Sequence, residues 1–382
     1  MGRADGARRS FGVEEEYLLL DAESGIPVDR AAQVVALRPE LRGDVDREFF
    51  ASQLETASPV CASGEEADEA LLRFRALAGA AATEAGAVLA STGLPPIGGE
   101  HEGSVTPKAR YREIRAELRA AAAHQYVTGT HVHVAVPSPD AGVIALRGLA
   151  RWAPALLAIT ANSPVWCGEE TGLASWRHIK SMSWPLAGYP PEFADGAEYE
   201  RTISTLVETG VLIDSGVVTW VARLSERFPT IELRIADAQL RAQDSVSFAL
   251  LVRGLVDRIL TNAESGSAPG SLVPGLVDGA IWMAARDGLT GSLIDPVDGA
   301  ARPASAMLVE MLAFALPSLE AFGDAERVGT YLEQLRTTGG PAQHQLTAFR
   351  EGGVNGLLAL YQEAQGQAPA HEPSPSDPHP HG

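Results

Sequence analysis

The sequence predicts an α+β domain, with strands in the first two thirds of the chain and helices in the last third. Bulky apolar residues fill 11–20 and end at the turn-forming residues 21–25, so this segment is predicted to be a strand. Residues 126–136 alternate and are rich in Val and Thr, which predicts another strand. From residue 243 to about 364 the sequence is typical of helices separated by Gly and Pro breaks.

The segments between these regions add further elements. Residues 47–60 are predicted to be extended. Ser63 lies three residues before Glu66, which is the spacing of a capping box, so a long helix is predicted from there to Ala90. Further helices are predicted at 110–123 and 141–161, and further strands at 217–222 and 230–236. Residues 162–191 show no clear period, which is typical of a functional loop.

Length and composition predict one domain. A chain of 382 residues can bury a core without disulfides or metal ions. We expect a disordered lead at 1–10, a single catalytic domain at 11–364 and a disordered tail at 365–382, where Pro, Ser and His dominate. Within the domain, the strand-rich core is expected at 11–237 and the helical half at 238–364.

Charge and cysteine usage narrow the class of protein. The chain has 30 basic and 49 acidic side chains, and its net charge of −19 repels nucleic acid and anionic lipid. Its two cysteines, Cys61 and Cys167, form no CxxC pair, so neither a disulfide scaffold nor a thiolate zinc site is predicted. We find no signal-like segment and no stretch of ~18 apolar residues. We therefore expect a cytoplasmic protein that does not cross a membrane.

Acidic residues recur on the first two predicted strands. Strand alternation sends Glu14 and Glu16 to one face of the first strand. Glu48 and Glu55 lie among apolar residues of the second extended segment. Paired carboxylates on a central strand repel each other unless a cation holds them. An acidic strand edge that faces solvent explains the same pattern equally well.

Two later strands carry imidazole and arginine side chains. His131 and His133 are two residues apart and so lie on one face of their strand. Glu232 and Arg234 share one face of an otherwise apolar strand in the same way. Histidines with a structural role and a buried salt bridge are the ordinary explanations of these pairs. A metal ligand beside a phosphate-binding arginine is the functional one.

Together these side chains predict a metal site that binds ATP. The donor set is rich in oxygen, contains little nitrogen and no sulfur, and so suits Mg²⁺ or Mn²⁺ better than Zn²⁺. Several such cations on one sheet can neutralise the phosphates of a nucleotide. The only lysines, Lys108 and Lys180, follow no Gly-rich loop, and the sequence contains no P-loop motif. ATP would therefore be bound through metal ions and arginines.

Six sequence blocks, in a fixed order, resemble the glutamate–cysteine ligase type 2 family of bacterial carboxylate–amine ligases. They are GVEEEYLL (12–19), QLETASPVC (53–61), THVHV (130–134), ANSPVW (161–166), TGLASWR (171–177) and TIELR (230–234). The blocks extend roughly from Phe11 to Asp237, and the helical remainder fits the family in length. Six ordered blocks are far more specific than any one of them.

The resemblance implies a curved antiparallel β-sheet of the glutamine synthetase and glutamate–cysteine ligase type, with flanking helices and with Mg²⁺ and ATP in its funnel. It implies metal ligands at Glu14, Glu16, Glu48, Glu55, His131 and Glu232. It also implies two catalytic arginines: Arg234 faces the transferred phosphoryl group, and Arg177 grips the substrate carboxylate. His133 joins Arg234 at the nucleotide, whereas Asn162 and Trp220 join Arg177 at the substrate.

The implied reaction has two steps. The substrate carboxylate attacks the γ-phosphate to give an acyl phosphate, and an amine then displaces phosphate to form an amide. Glutamate and cysteine are the implied substrates, and a homodimer is the implied assembly. The family often shows Trp-Trp-Asp-x-Arg where this chain has TWVAR (219–223), so Val221 replaces an acid near the substrate. A metal-dependent hydrolase and a non-catalytic relative of the ligases are the alternative readings.

Overall fold

A twisted antiparallel sheet forms the centre of the computed structural model, which describes residues 8–366 except 42, 268, 271 and 274. The strands in this part of the chain are β1 (Phe11–Asp21), β2 (Val45–Arg47), β3 (Gln53–Ala57), β4 (Ala87–Ala90), β5 (Gly129–Ala135), β6 (Val165–Trp166), β7 (Glu169–Glu170), β8 (Ala222–Leu224), β9 (Thr230–Asp237), β10 (Ser292–Ile294) and β11 (Ala301–Pro303). Seven of them form the main sheet in the order β2-β3-β1-β5-β9-β8, with β4 paired to the end of β1. The α+β class with an antiparallel sheet is confirmed.

Helices pack around this sheet. They are α1 (Ala31–Leu37), α2 (Gly64–Glu84), α3 (Ala109–Leu118), α4 (Pro139–Ala150), α5 (Ala153–Thr160), α6 (Trp176–Ser181), α7 (Gly196–Glu208), α8 (Ala242–Glu264), α9 (Leu276–Asp287), α10 (Ala304–Phe322), α11 (Ala325–Thr338) and α12 (Pro341–Ala364). The largest hydrophobic cluster joins the sheet to α4, α5 and α8, and α10 packs behind α8. Most of the core therefore lies on one side of the sheet.

The two faces of the sheet differ in chemistry because side chains alternate along each strand. On the core face, Phe11, Val13, Val132 and Leu233 are buried in the hydrophobic cluster. On the opposite face, which we call the cavity face, the polar side chains of the same strands are brought together by the register. Glu14 is opposite His131, Glu16 is opposite Glu55, and His133 is opposite Glu232.

The middle one of the three glutamates of β1, Glu15, lies on the core face. Glu15 is 1% exposed and accepts two hydrogen bonds from Arg75 of α2, at 3.0 Å and 2.5 Å. Tyr17 and Ser245 donate to the same carboxylate. Arg75 also donates to the carbonyl oxygens of Leu240 and Gln239, in the connection from β9 to α8. This buried pair joins β1, α2 and α8 directly beneath the cavity face.

Several predicted helices and strands are confirmed, and others have different bounds because tertiary contacts determine where they end. The strands predicted at 11–20, 126–136 and 230–236 correspond to β1, β5 and β9, and the helix predicted at 110–123 contains α3. The predicted helix to Ala90 is wrong beyond Glu84, because Gly86 turns the chain at a φ of 72° and residues 87–90 pair with β1 as β4. An apolar run of this length does not distinguish a buried strand from a helix.

Three other boundaries are corrected. The helix predicted at 141–161 is two helices bent by 69°, with Pro154 in the first turn of the second. The strand predicted at 217–222 is mostly irregular, and its residues meet the sheet only in β8. The helical region predicted after residue 243 contains the hairpin of β10 and β11. Helices α1 and α7 had no counterpart in the prediction.

The predicted domain limits stay a prediction, since residues 1–7 and 367–382 lie outside the described residues. Residues 8–10 are described, and Arg9 pairs with Asp257 of α8 at 2.9 Å. By length and composition α10 could cross a membrane, and α4 with α5 would pass the same test as one bent pair. Core helices of this hydropathy pass it too, and α5 is buried along its whole length. Location outside a membrane also stays a prediction.

The Glu15–Arg75 pair gives a test of this architecture. We expect Arg75→Met to lower the free energy of unfolding by about 3 to 5 kcal/mol, because it leaves a buried carboxylate without its cation. Chemical denaturation followed by circular dichroism measures the change. Arg73→Met is the matched control on the same helix, since Arg73 pairs with Asp44 in solvent and its side chain is 59% exposed. Equal losses in both variants would contradict the assignment.

Candidate active site

A cavity of about 790 Å³ opens on the cavity face of the sheet. The strands β1, β3, β5, β8 and β9 form its floor, and residues from α3, α6 and the loops form its walls. Of the site residues predicted from the sequence, those that line it are Glu14, Glu16, Glu48, Glu55, His131, His133, Arg177, Glu232 and Arg234. The fold therefore brings together side chains that are up to 220 positions apart in sequence.

Glu14 lies between the two histidines of β5. Its carboxylate is 3.3 Å from Nδ1 of His131 and 3.2 Å from Nε2 of His133. Desolvation favours the neutral acid, but the two imidazoles outweigh it and lower the pKa of Glu14. The ladder between β5 and β9 is irregular between Thr130 and Val132, next to His131. Such bulges re-aim side chains, and here both imidazoles meet the same carboxylate.

Glu16, Glu55 and Glu48 crowd the neighbouring part of the floor. Desolvation raises the pKa of Glu55 well above its usual value, and the charges of Glu48 and Glu16 raise it further. Desolvation and then Glu48 raise the pKa of Glu16 to about 7, although Arg177 and Arg234 act in the opposite direction. Carboxylates held this close retain protons unless a cation takes their place. The arrangement therefore suits a divalent cation.

Two groups of side chains could hold such ions. One contains Glu14, His131 and Glu232, and the other contains Glu16, Glu55 and His131; within each group the ligand atoms lie within 4.8 Å of one another. His131 belongs to both groups. Its desolvation and the nearby Arg234 lower its pKa to about 4, so the imidazole is neutral and has a lone pair to offer at neutral pH. Both donor sets are rich in oxygen, as hard cations prefer.

Arginines flank these groups on the β9 side. Arg223 of β8 forms a bidentate pair with Glu232, with distances of 2.7 Å and 3.0 Å, and Arg234 contacts the same carboxylate. Desolvation opposes ionisation of Glu232, but Arg234 and Arg223 lower its pKa to about 2. Arg234 also lies 3.3 Å from Nδ1 of His131. A cationic group is thus fixed beside the candidate ligands, where an anionic substrate would be neutralised.

Arg177 reaches the same cavity from α6. Its guanidinium donates to the carbonyl oxygens of Ile235 and Arg234, at 3.4 Å and 3.3 Å, and the residue is 8% exposed. Among the described residues, its Nε has no hydrogen-bond partner. Desolvation lowers the pKa of Arg177, and the negative charges of Asp237 and Glu16 counteract that effect. A buried guanidinium with spare donors is suited to bind an anion.

Sequence comparison decides the family. The family model described as glutamate–cysteine ligase family 2 matches residues 10–368. The chain belongs to this family. A relative from Mycolicibacterium vanbaalenii, named glutamate–cysteine ligase 2-2 as a provisional assignment, is 39% identical over 341 residues, which cover 89% of this chain and 93% of the relative. A relative from Salinispora tropica, named provisionally as glutamate–cysteine ligase 2, is 37% identical over 353 residues, which cover 92% and 93%.

Solved structures of low sequence identity share the fold. A glutamate–cysteine ligase from Francisella tularensis, in complex with AMP, matches 96% of this chain and 90% of its own, with a TM-score of 0.72 and 11% identity. A bifunctional glutathione synthetase from Pasteurella multocida matches 94% of this chain with a TM-score of 0.67 and 15% identity. This chain covers 52% of that longer protein. The predicted sheet type is confirmed.

Membership of glutamate–cysteine ligase family 2 gives the class of reaction. The protein is an ATP-dependent carboxylate–amine ligase, as the six sequence blocks implied. The hydrolase reading has no support from the comparisons, and the family generally uses a divalent metal ion. Neither the metal nor the two substrates follow from membership alone.

Two of the predicted substrate residues lie elsewhere in this family member. Trp220 is 4% exposed and packs against Phe193 and Tyr199 in the core, from the irregular segment before β8. Asn162 is fully buried and donates to the carbonyl oxygens of Ser91 and Ala238. Neither side chain is among the described residues that line the cavity. The structure thus does not bring these two side chains to the other predicted site residues, and their contact with a substrate stays a prediction.

Other residues of the cavity had no place in the prediction. Arg223 was not predicted as a site residue because the predicted strand ended at Ala222. A strand longer by one residue would have placed Arg223 opposite Glu232. Tyr111 donates to Glu48 at 3.4 Å, and its ring packs at 5.8 Å from that of Phe49. Trp184 and His178 also line this wall. No sequence signal distinguished these aromatic residues from ordinary core residues.

The raised pKa of Glu55 leads to a metal-binding test. Desolvation, and then the charges of Glu48 and Glu16, raise its pKa and so favour the neutral acid in metal-free protein. Glutamine resembles that neutral acid, so Glu55→Gln should change the unfolding temperature without metal very little. The same change should remove the stabilisation by Mg²⁺, which is about 2.7 kcal/mol when the ion is at 100 times its Kd. Differential scanning calorimetry with and without Mg²⁺ measures both effects.

Glu226→Gln is the matched control for this test. Glu226 lines the same cavity, but it bonds to Ser215 and belongs to neither ligand group. We expect its variant to retain stabilisation by Mg²⁺. Stabilisation that persists in Glu55→Gln would remove Glu55 from the ligand set.

Proposed function

We propose that this ligase uses Mg²⁺ and ATP to join the γ-carboxylate of glutamate to an amine, with cysteine as the first amine to test. The observation that carries the proposal is the pair of candidate ligand groups that share His131 and lie in one cavity with Arg234 and Arg177. Provisional names of relatives at 36–39% identity support glutamate and cysteine as the substrates.

The residues of the cavity floor fit Mg²⁺. Glu14, Glu16, Glu55 and Glu232 supply oxygen, and His131 supplies the shared nitrogen. Glu48 lines the same floor and would complete the set, although it belongs to neither group of close ligand atoms. When bound, Mg²⁺ neutralises the β- and γ-phosphate oxygens of ATP. A single nitrogen among oxygens also allows Mn²⁺ in the same place.

Two arginines divide the substrates between them in this proposal. Arg234 lies against His131 and Glu232, beside the ligand groups, so it would stabilise charge on the γ-phosphate as that group is transferred. His133 contacts Glu14 and would assist at the nucleotide. Arg177 would hold the glutamate carboxylate through a bidentate pair, since its guanidinium has a spare donor. The attacking oxygen would then lie near the phosphate that it attacks.

The chemistry proceeds in two displacement steps. A carboxylate oxygen of glutamate forms a bond to the γ-phosphorus, and ADP leaves with the electron pair of the broken P–O bond. The amine nitrogen next attacks the acyl carbon, phosphate leaves, and the nitrogen loses its proton to give the amide. Acyl phosphates hydrolyse in water, so the walls must exclude it. Phe49, Tyr111 and Trp184 supply apolar surface on one side of the cavity.

A ligation assay tests the proposal. Purified protein is incubated with ATP, Mg²⁺ and glutamate, amines are added one at a time beginning with cysteine, and phosphate release and the mass of the amide are followed. We expect amine-dependent phosphate release with a matching amide. Glu232→Gln should reduce kcat/KM by about 100-fold or more, since it removes a charge that holds both the cation and Arg234.

Glu226→Gln again serves as the control, because it changes a carboxylate of the same cavity outside the ligand groups.

Turnover of another carboxylate in place of glutamate would change the substrate and keep the reaction class. Val221, which lines the cavity where the family often has an acid, is the first position to examine if the amine is not cysteine. Lack of turnover with every amino-acid pair would defeat glutamate–cysteine ligation.

The arginine proposed to bind the carboxylate is tested by Arg177→Lys. Lysine keeps the positive charge but loses the planar pair of donors, so we expect the KM for the carboxylate substrate to rise roughly tenfold or more and the KM for ATP to change little. Initial-rate kinetics with each substrate varied in turn separate the two constants. A selective rise in the KM for ATP would instead place Arg177 at the nucleotide.

A further inference from the structure

A buried aspartate connects the end of β9 to the residues that precede α6, the helix that carries Arg177. Asp237 is 0% exposed and accepts hydrogen bonds from the backbone N–H of Asn162 at 2.8 Å, from Ser163 Oγ at 2.7 Å and from Ser175 Oγ at 2.8 Å. Burial raises the pKa of Asp237, and the charge of Arg177 and these donors oppose that effect. A carboxylate this deep costs free energy unless its partners are held in place.

The two serines also form hydrogen bonds with the backbone of α6. Ser163 Oγ accepts a hydrogen bond from the backbone N–H of Arg177 at 2.9 Å, and Ser175 Oγ accepts one from the backbone N–H of His178 at 3.2 Å. Each hydroxyl therefore donates to Asp237 and accepts from the first turn of the helix. The carboxylate fixes where α6 begins, and with it the Cα of Arg177.

The guanidinium of Arg177 is also held directly. Its Nη1 lies 3.8 Å from the Asp237 carboxylate, and its two remaining contacts are to carbonyl oxygens of β9. Two glycines, Gly129 and Gly93, pack against this pair and leave no room for a side chain. A Cβ at Gly129 would lie 2.3 Å from Nη2 of Arg177, and one at Gly93 would lie 2.8 Å from the Asp237 carboxylate. The Arg177 side chain is thus closely packed on this side, and the residue lines the cavity.

We propose that Asp237 is the positioning residue for Arg177: through Ser163, Ser175 and its own charge it orients the guanidinium that receives the substrate carboxylate. This inference rests on the proposed role of Arg177 in carboxylate binding. Asp237 itself does not line the cavity within the described part of the chain. It acts through Arg177 and not on the substrate. The Asn162 side chain, which bonds to the carbonyl oxygens of Ser91 and Ala238, anchors the same loop.

Asp237→Asn in the full chain tests the proposal by kinetics. Asparagine keeps the shape and one acceptor oxygen but loses the charge, so the KM for the carboxylate substrate should rise roughly tenfold while kcat and the KM for ATP stay within about threefold. Asp295→Asn is the matched control, since Asp295 is 1% exposed, pairs with Arg151 and lies outside the cavity. We expect that variant to keep the KM values of the native protein.

A double-mutant cycle shows whether Asp237 acts through Arg177. In an Arg177→Lys background the further change Asp237→Asn should add little to the KM of the carboxylate, because the geometry that it protects is already lost. Multiplicative effects would contradict the inference. A parallel fall of kcat and of the affinity for both substrates would show a general loss of structure and would also overturn it.

A measurement without turnover separates this inference from the proposed function. The Nε–H resonance of Arg177 in a ¹⁵N spectrum can be assigned by its loss in Arg177→Lys, and Asp237→Asn should shift or broaden it while Asp295→Asn leaves it in place. An unchanged resonance would overturn the positioning role, even if the ligase activity is as proposed. A shifted resonance in a protein without glutamate-dependent turnover would support the positioning and reject the substrate.

Discussion

The crowding of carboxylates on the cavity face of β1 and β3 is the constraint on which the rest of the site depends. Register forces Glu16 opposite Glu55, with Glu48 nearby. Desolvation, and after it repulsion by Glu48, raises the pKa of both paired residues. Hydrophobic burial on the other face supplies the free energy that holds these strands together despite that repulsion. A divalent cation held by these carboxylates would convert the repulsion into attraction.

One strand serves two purposes because its side chains alternate. Glu14 and Glu16 face the cavity, whereas Glu15 between them is neutralised by Arg75 on the core face. That ion pair joins β1 to α2 and to the connection into α8, so the strand that presents the ligands is fixed from behind by a charge pair as well as by apolar packing. Pre-organisation of this kind lets the ligands keep their positions when the ion is absent.

The residues on the floor of the cavity could be predicted from the sequence, whereas those of its walls could not. Alternation along β1, β5 and β9 placed Glu14, His131 and Glu232 on common faces, because a period of two depends only on local geometry. The resemblance alone put Trp220 at the substrate, whereas its packing against Phe193 and Tyr199 depends on tertiary contacts that no local pattern encodes. Residues 87–90 became β4 for a related reason: pairing with β1 is a tertiary contact that local propensity does not encode. Arg223 and Tyr111 meet the site only through such contacts.

In the proposed arrangement, two arginines bind the two substrates from different elements of the fold. Arg234 is carried by the sheet itself, and the ion pair with Glu232 ties it to the candidate metal ligands. Arg177 is carried by the first turn of α6, and it depends on Asp237, at the end of β9, for its orientation. Both guanidiniums are therefore held by carboxylates of β9. These are Glu232 and Asp237, which lie five positions apart on the strand. A displacement of that strand would move the phosphate-binding and carboxylate-binding groups together, which preserves the distance between the reacting atoms.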